Sequence, residues 1–204
     1  MASTSPAPTS APAPDTARLL RRGFALEWAT LAWNVVGIVV LAFAAVAARS
    51  VALAGFGLDS LIEIAASTVV IWELSGTGEE RQRKAMRLIG AAFLALALYL
   101  LVQSTWALAA GHHAHHSPAG IAWTAVTAAV MFLLAHGKSR TGAALDNPVL
   151  RTEGRVTLVD ALLATAVLLG LLLNSALGLW WADPLAGYVI VFYGLKEARA
   201  ALTH

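Results

Sequence analysis

Residues 51–74 run VALAGFGLDSLIEIAASTVVIWEL, a stretch apolar enough to cross a membrane except for two carboxylates, Asp59 and Glu63. A bilayer core of about 30 Å needs about 20 residues of helix, and this segment supplies them. An ionised side chain near the bilayer centre costs roughly 2.5 to 3.5 kcal/mol on the insertion scale, so a chain that keeps two on one helix face puts them to use. Positions i and i+4 share a helix face and lie about 6 Å apart along the axis. Both carboxylates of this pair can therefore reach one cation.

Working outward, the rest of the chain is built to the same apolar plan. Of 204 residues, 58% are apolar and only 13% charged, which excludes an ordinary water-soluble domain. Further apolar runs occupy Phe24 to Ala48, Leu88 to Ala110, Ile121 to His136, Val156 to Leu177 and Leu179 to Leu195, the last extending past Lys196 towards Leu202. The expected fold is an all-α integral membrane bundle of six transmembrane helices, residues 18–204, behind a disordered Ala/Pro-rich tail at residues 1–17. The tail lacks the basic-then-apolar order of a cleaved signal. Connections are short, the roomiest running from about Gly137 to Pro148, and Asp183 before Pro184 suits the N-cap of the last helix.

Charge gives the orientation. With a cytoplasmic N-terminus, thirteen of the fourteen Lys and Arg fall on the cytoplasmic side, Lys138 among them as part of the Gly137–Pro148 connection, and only Arg49 lies outside. Both termini are then cytoplasmic. The formal charge of +2 is distributed by membrane side and not gathered into a groove, so no nucleic-acid partner is indicated. With no cysteine, disulfides, zinc fingers and thiol catalysis are excluded.

A third carboxylate joins the pair by depth. Asp160 lies about twelve residues after Pro148, level with Asp59 and Glu63 if the fifth helix begins soon after that proline. Three anions at one depth repel one another and take up protons or distort the fold unless a cation joins them. No Lys or Arg is expected at this depth, Arg155 being the nearest. Thr157 and Ser60 offer neutral oxygens; Asn34 is either a ligand or an interhelical hydrogen-bonding group. Glu153, seven residues before Asp160 and about 10 Å nearer the cytoplasm, is a lower ligand, an entry-path carboxylate or a solvated partner of Arg151 or Arg155. Glu27 and Glu73, near helix ends, read as interfacial. His112, His113, His115 and His116 form a turn between the third and fourth helices that either binds zinc, copper or nickel or is a functionless polar tract.

These residues resemble the cation diffusion facilitators, proton-coupled exporters of zinc and related divalent metals. The resemblance rests on Asp59-Ser60-Leu61-Ile62-Glu63, similar to that family's acidic DxxxD-type pair, on Asp160, at the second position of its HxxxD motif, and on Trp181-Ala182-Asp183-Pro184 opening the sixth helix. It implies a metal site at Asp59, Glu63 and Asp160, a homodimer formed through membrane helices, and a multi-pass protein of the bacterial inner membrane. Two departures stand out. Val156 occupies the motif's histidine position, leaving Glu153, Thr157, Asn34 or water to fill the gap, and the family's usual cytoplasmic domain after the sixth helix is not found. An oxygen-only site leans towards Mn²⁺, Fe²⁺ or Co²⁺, although zinc accepts carboxylates too.

The expected function is divalent metal transport by alternating access (Zn, Co, Fe or Mn as substrate), with protons exchanged for metal at the three carboxylates. No prosthetic group and no enzyme activity are implied, since no nucleophile with a base and no phosphate-binding glycine loop occurs. The alternative is a non-transporting membrane module in which the same carboxylates bind metal or hold a partner.

Overall fold

A computed structural model describes residues 14–48, 51–76, 78–111 and 117–203. The secondary structure of these residues is helical throughout: α1 (Pro14–Ala48), α2 (Val51–Leu74), α3 (Glu79–Ala110), α4 (Pro118–Ala144), α5 (Pro148–Leu177) and α6 (Ala182–Leu202). Over these residues four helices, α1, α3, α4 and α5, are long and apolar enough to cross a bilayer. The distribution of apolar side chains is that of a membrane protein. Phe43, Val46 and Leu133 stand 73 to 80% exposed on the outside, while Glu27, Lys138 and Glu153 are fully buried.

Local signals set the helix ends. Ser117 caps α4 by accepting from the Gly120 amide at 3.1 Å, with Pro118 following it, and Asn147 caps α5 by accepting from the Leu150 amide at 2.8 Å, with Pro148 in the first turn. Gly111 and Gly178 end α3 and α5 at φ 56° and 69°, the left-handed region where glycine carries no steric cost.

Three boundaries differ from the sequence expectation. Helix α1 starts at Pro14, before its apolar run, because Ala17-Arg18-Leu19-Leu20-Arg21-Arg22 are good helix formers. Helix α4 does not stop at His136 but runs to Ala144, reducing the connection to α5 to Leu145, Asp146 and Asn147. The N-cap of α6 is Trp181, not Asp183, and the Trp181 side chain makes no capping bond.

The six helices pack as two rows, α1–α2–α3 over α4–α5–α6, each touching its row neighbours and the helix facing it. Helix α5 also touches α3 and is buried along most of its length, with Val149, Val156, Ala161, Ala164 and Val167 all at or below 3% exposure. Its most extensive contact is with α4, and small residues make that contact close. A Cβ on Gly154 would run into Ser139, 2.9 Å from its backbone nitrogen, and a Cβ on Gly142 would sit 2.7 Å from the Arg151 backbone nitrogen. At the same end of the bundle Asn147 donates to both oxygens of Glu73 at 3.1 and 3.2 Å, tying the α4–α5 turn to the end of α2.

Because the backbone of Ser139 and Ala135, as well as the Ser139 hydroxyl, faces Gly154, Gly154→Ala should lower stability by roughly 1–3 kcal/mol, the usual cost of overpacking. Denaturant titration in mixed micelles measures it, and an unchanged midpoint would contradict the close α4–α5 packing.

Candidate metal centre

A column of polar side chains climbs through the middle of this apolar bundle. Helix periodicity builds it. On α1 Glu27, Thr30 and Asn34 follow at i, i+3 and i+7; on α2 Asp59, Glu63 and Ser67 follow at four-residue steps; on α5 Glu153, Thr157 and Asp160 share a face. All nine are at or below 3% exposure. On α4 the face of Thr127, Met131 and Leu134 continues one turn further to Lys138, which is fully buried.

The lowest layer is an ion-paired cluster. The Lys138 ammonium lies 3.1 Å from Glu27 Oε2, 3.1 Å from Glu153 Oε1 and 3.0 Å from Thr157 Oγ1. Ser67 donates to the same Glu153 oxygen at 3.4 Å. Such buried pairs are costly to form and costlier to break, since removing one partner strands the other charge without water.

The middle layer follows from hydroxyl chemistry. Lysine can only donate, so Thr157 accepts from Lys138 and turns its own hydrogen to Glu63 Oε1, at 2.7 Å. Glu63 is thereby fixed between the ion-paired cluster and the layer above.

In the upper layer the carboxyl groups of Asp59 and Asp160 come within hydrogen-bonding reach of one another. The Oδ2 atoms of both are buried without a hydrogen-bond partner. Two carboxyl groups approach this closely only with a proton or a cation between them. Asn34 donates to the Thr30 carbonyl at 3.0 Å, which leaves its side-chain oxygen as the group it can offer. Ser60, also buried, turns back onto the Phe56 carbonyl at 3.5 Å.

Among the described residues no three His, Cys, Asp or Glu side chains form a ready-made metal cage. Asp59 and Asp160 meet, Glu63 stands one turn away on Thr157, and Glu153 faces Lys138. His112, His113, His115 and His116 lie outside the described residues.

Two residues change the sequence reading. Lys138 is not part of a cytoplasmic loop, and a basic group does sit beside the carboxylates: α4 continues through Gly137-Lys138-Ser139, with Gly137 packed against Leu26 of α1 and Ser139 against Gly154 of α5. Glu27 is not interfacial but is fully buried against that lysine. The missed signal was register. Lys138 falls eleven residues after Thr127, on the inward face, and Glu27 falls seven before Asn34.

The arrangement holds five buried carboxyl groups at core depth (Glu27, Asp59, Glu63, Glu153 and Asp160) against a single buried ammonium among the described residues. Chemically it is an acidic, oxygen-rich interior whose donors are of the kind that take up cations or protons.

Lys138→Met should cost roughly 3–5 kcal/mol, the price of an orphaned buried charge, and adding Glu27→Gln should recover part of it. A double-mutant cycle measured by denaturant titration tests this; strictly additive effects would contradict the direct pair.

A family model described as the cation efflux transmembrane domain matches residues 86–203, more than half of the chain. The match takes in Lys138, Glu153, Thr157 and Asp160, while Glu27, Asp59 and Glu63 precede it. No curated protein sequence matches the chain.

Proposed function

The chain belongs to the cation efflux family of multi-pass membrane cation transporters, and from that premise we propose that it exports a divalent transition-metal ion in exchange for protons. The exchange site is Asp59, Glu63 and Asp160. The observation that carries this reading is the approach of the Asp59 and Asp160 carboxyl groups in the buried centre, where among the described residues no ammonium bonds to them. A proton holds that pair together; a divalent cation displaces the proton and draws in Oε2 of Glu63, whose Oε1 stays oriented by Thr157. Asn34 and Thr157 are the nearby neutral oxygens. Binding by carboxylates releases protons, so metal affinity rises as pH rises.

Six spans with both termini in the cytoplasm of a bacterial inner membrane fit the two-row bundle and the terminal Arg and Lys residues. Metal enters from the cytoplasm, and the bundle reopens on the opposite side, where protons displace it. An all-oxygen donor set favours Mn²⁺, Fe²⁺ or Co²⁺ and admits Zn²⁺. A homodimer would pair through membrane helices.

The test is metal-gradient flux in proteoliposomes with an enclosed pH dye, across Mn²⁺, Fe²⁺, Co²⁺ and Zn²⁺. Wild type should move metal with an opposing pH change, and Asp59→Asn should insert normally but move none. Flux without a pH change would remove the proton exchange, and equal flux in Asp59→Asn would remove the site. Thr157→Val, which strips the hydroxyl from Glu63, should weaken metal binding by roughly 10- to 100-fold, as lost ligand-orienting contacts do; calorimetric titration reads this, and unchanged affinity would show that Thr157 does not orient Glu63.

A further inference from the structure

Lys138 occupies a cage that is larger in chemistry than one ammonium needs. An ammonium has three donors; here it hydrogen-bonds Glu153 Oε1 and Thr157 Oγ1, at 3.1 and 3.0 Å, and stands 3.1 Å from Glu27 Oε2 as an ion pair. Both Glu27 oxygens and Glu153 Oε2 are left buried without a hydrogen-bond partner. Ser67 adds a fourth oxygen-bearing side chain, 3.4 Å from Glu153 Oε1. The lining comes from three helices, α1, α2 and α5, and the fourth, α4, delivers the occupant. Without the Nζ of Lys138, two carboxylates and two hydroxyls face one buried point. That is a donor set for a hard divalent cation, able to use all four carboxylate oxygens where the ammonium uses two.

We propose that Glu27, Ser67, Glu153 and Thr157 form a second cation site, in which the tethered ammonium of Lys138 stands in for a metal ion. The bundle thereby keeps α1, α2 and α5 drawn together whether or not cargo is present, and a single mobile ion suffices for each cycle. The stand-in also governs the cargo site. While Lys138 donates to Thr157, the Thr157 hydroxyl must point to Glu63; an ion in the cage would take the Thr157 oxygen for itself and still leave its hydrogen on Glu63. The proposal rests on the transport reading for the mobile ion at Asp59, Glu63 and Asp160, and on Lys138 geometry alone for the cage.

Equilibrium binding of Mn²⁺ to the purified full-length protein in lipid nanodiscs tests it, with bound ion counted per chain. Wild type should hold a single Mn²⁺, Lys138→Ala two, and Lys138→Ala with Glu27→Gln one again. In Lys138→Ala with Asp59→Asn, the remaining ion should be the one in the cage. Lys138→Ala that is monodisperse only when Mn²⁺ or ammonium is present also supports the proposal. A monodisperse Lys138→Ala protein that binds no more Mn²⁺ than wild type overturns it, as does a Lys138→Ala protein that aggregates regardless of Mn²⁺ and ammonium. The two readings fail separately: no Mn²⁺ in wild type with one in Lys138→Ala, lost on Glu27→Gln, keeps the cage and removes the cargo site, whereas one in both keeps the cargo site and removes the cage.

Discussion

The ammonium of Lys138, shared between Glu27 and Glu153 inside an apolar bundle, is the contact on which the rest of the structure depends. It joins α1, α4 and α5 at full burial, where water cannot compete for either partner. Apolar packing alone gives helices in lipid little reason to choose one register over another, because lipid tails are as apolar as leucine. A charge that must meet its partner supplies that reason. The glycines at the α4–α5 contact serve the same end, since Gly142 and Gly154 let the two backbones approach closely enough for Lys138 to reach across.

One ammonium against five carboxyl groups leaves an unbalanced interior, and the imbalance is where function resides. Glu27 and Glu153 are answered by Lys138 directly, and Glu63 receives a neutral hydroxyl from Thr157. Asp59 and Asp160 are left to each other. Only something mobile and positive can settle that pair, and for a member of the cation efflux family the candidates are a metal ion or a proton. On the proposed reading the pair holds either, but not both, and so exchanges one for the other.

Much of this was legible in the sequence, for reasons that can be traced to individual residues. The apolar runs marked the helices because a bilayer demands about 20 residues at a time, and Asp59, Glu63 and Asp160 stood out because carboxylates within such runs are expensive. Lys138 did not stand out. It lies in Gly137-Lys138-Ser139-Arg140-Thr141-Gly142, a stretch whose polarity and glycines read as a loop. In the folded bundle those glycines are contact points, Gly137 against Leu26 of α1 and Gly142 against Arg151 of α5, and the helix runs through them to Ala144. Glu27 was hidden because its apolar run starts only at Phe24, whereas α1 begins at Pro14 and what looked like the helix edge is well inside. Composition tells which side chains are costly to bury; only the register between helices tells which of them meet.

The central claim is that the Asp59–Glu63–Asp160 layer exchanges protons for metal, and counting the protons released when metal binds tests it most directly. Calorimetric titration of the nanodisc-embedded protein with Mn²⁺, repeated in buffers of different ionisation enthalpy, gives that count. The account predicts at least one proton released per Mn²⁺ bound, and its loss in Asp59→Asn. Metal binding with no proton release, or with the same release in Asp59→Asn, would contradict it.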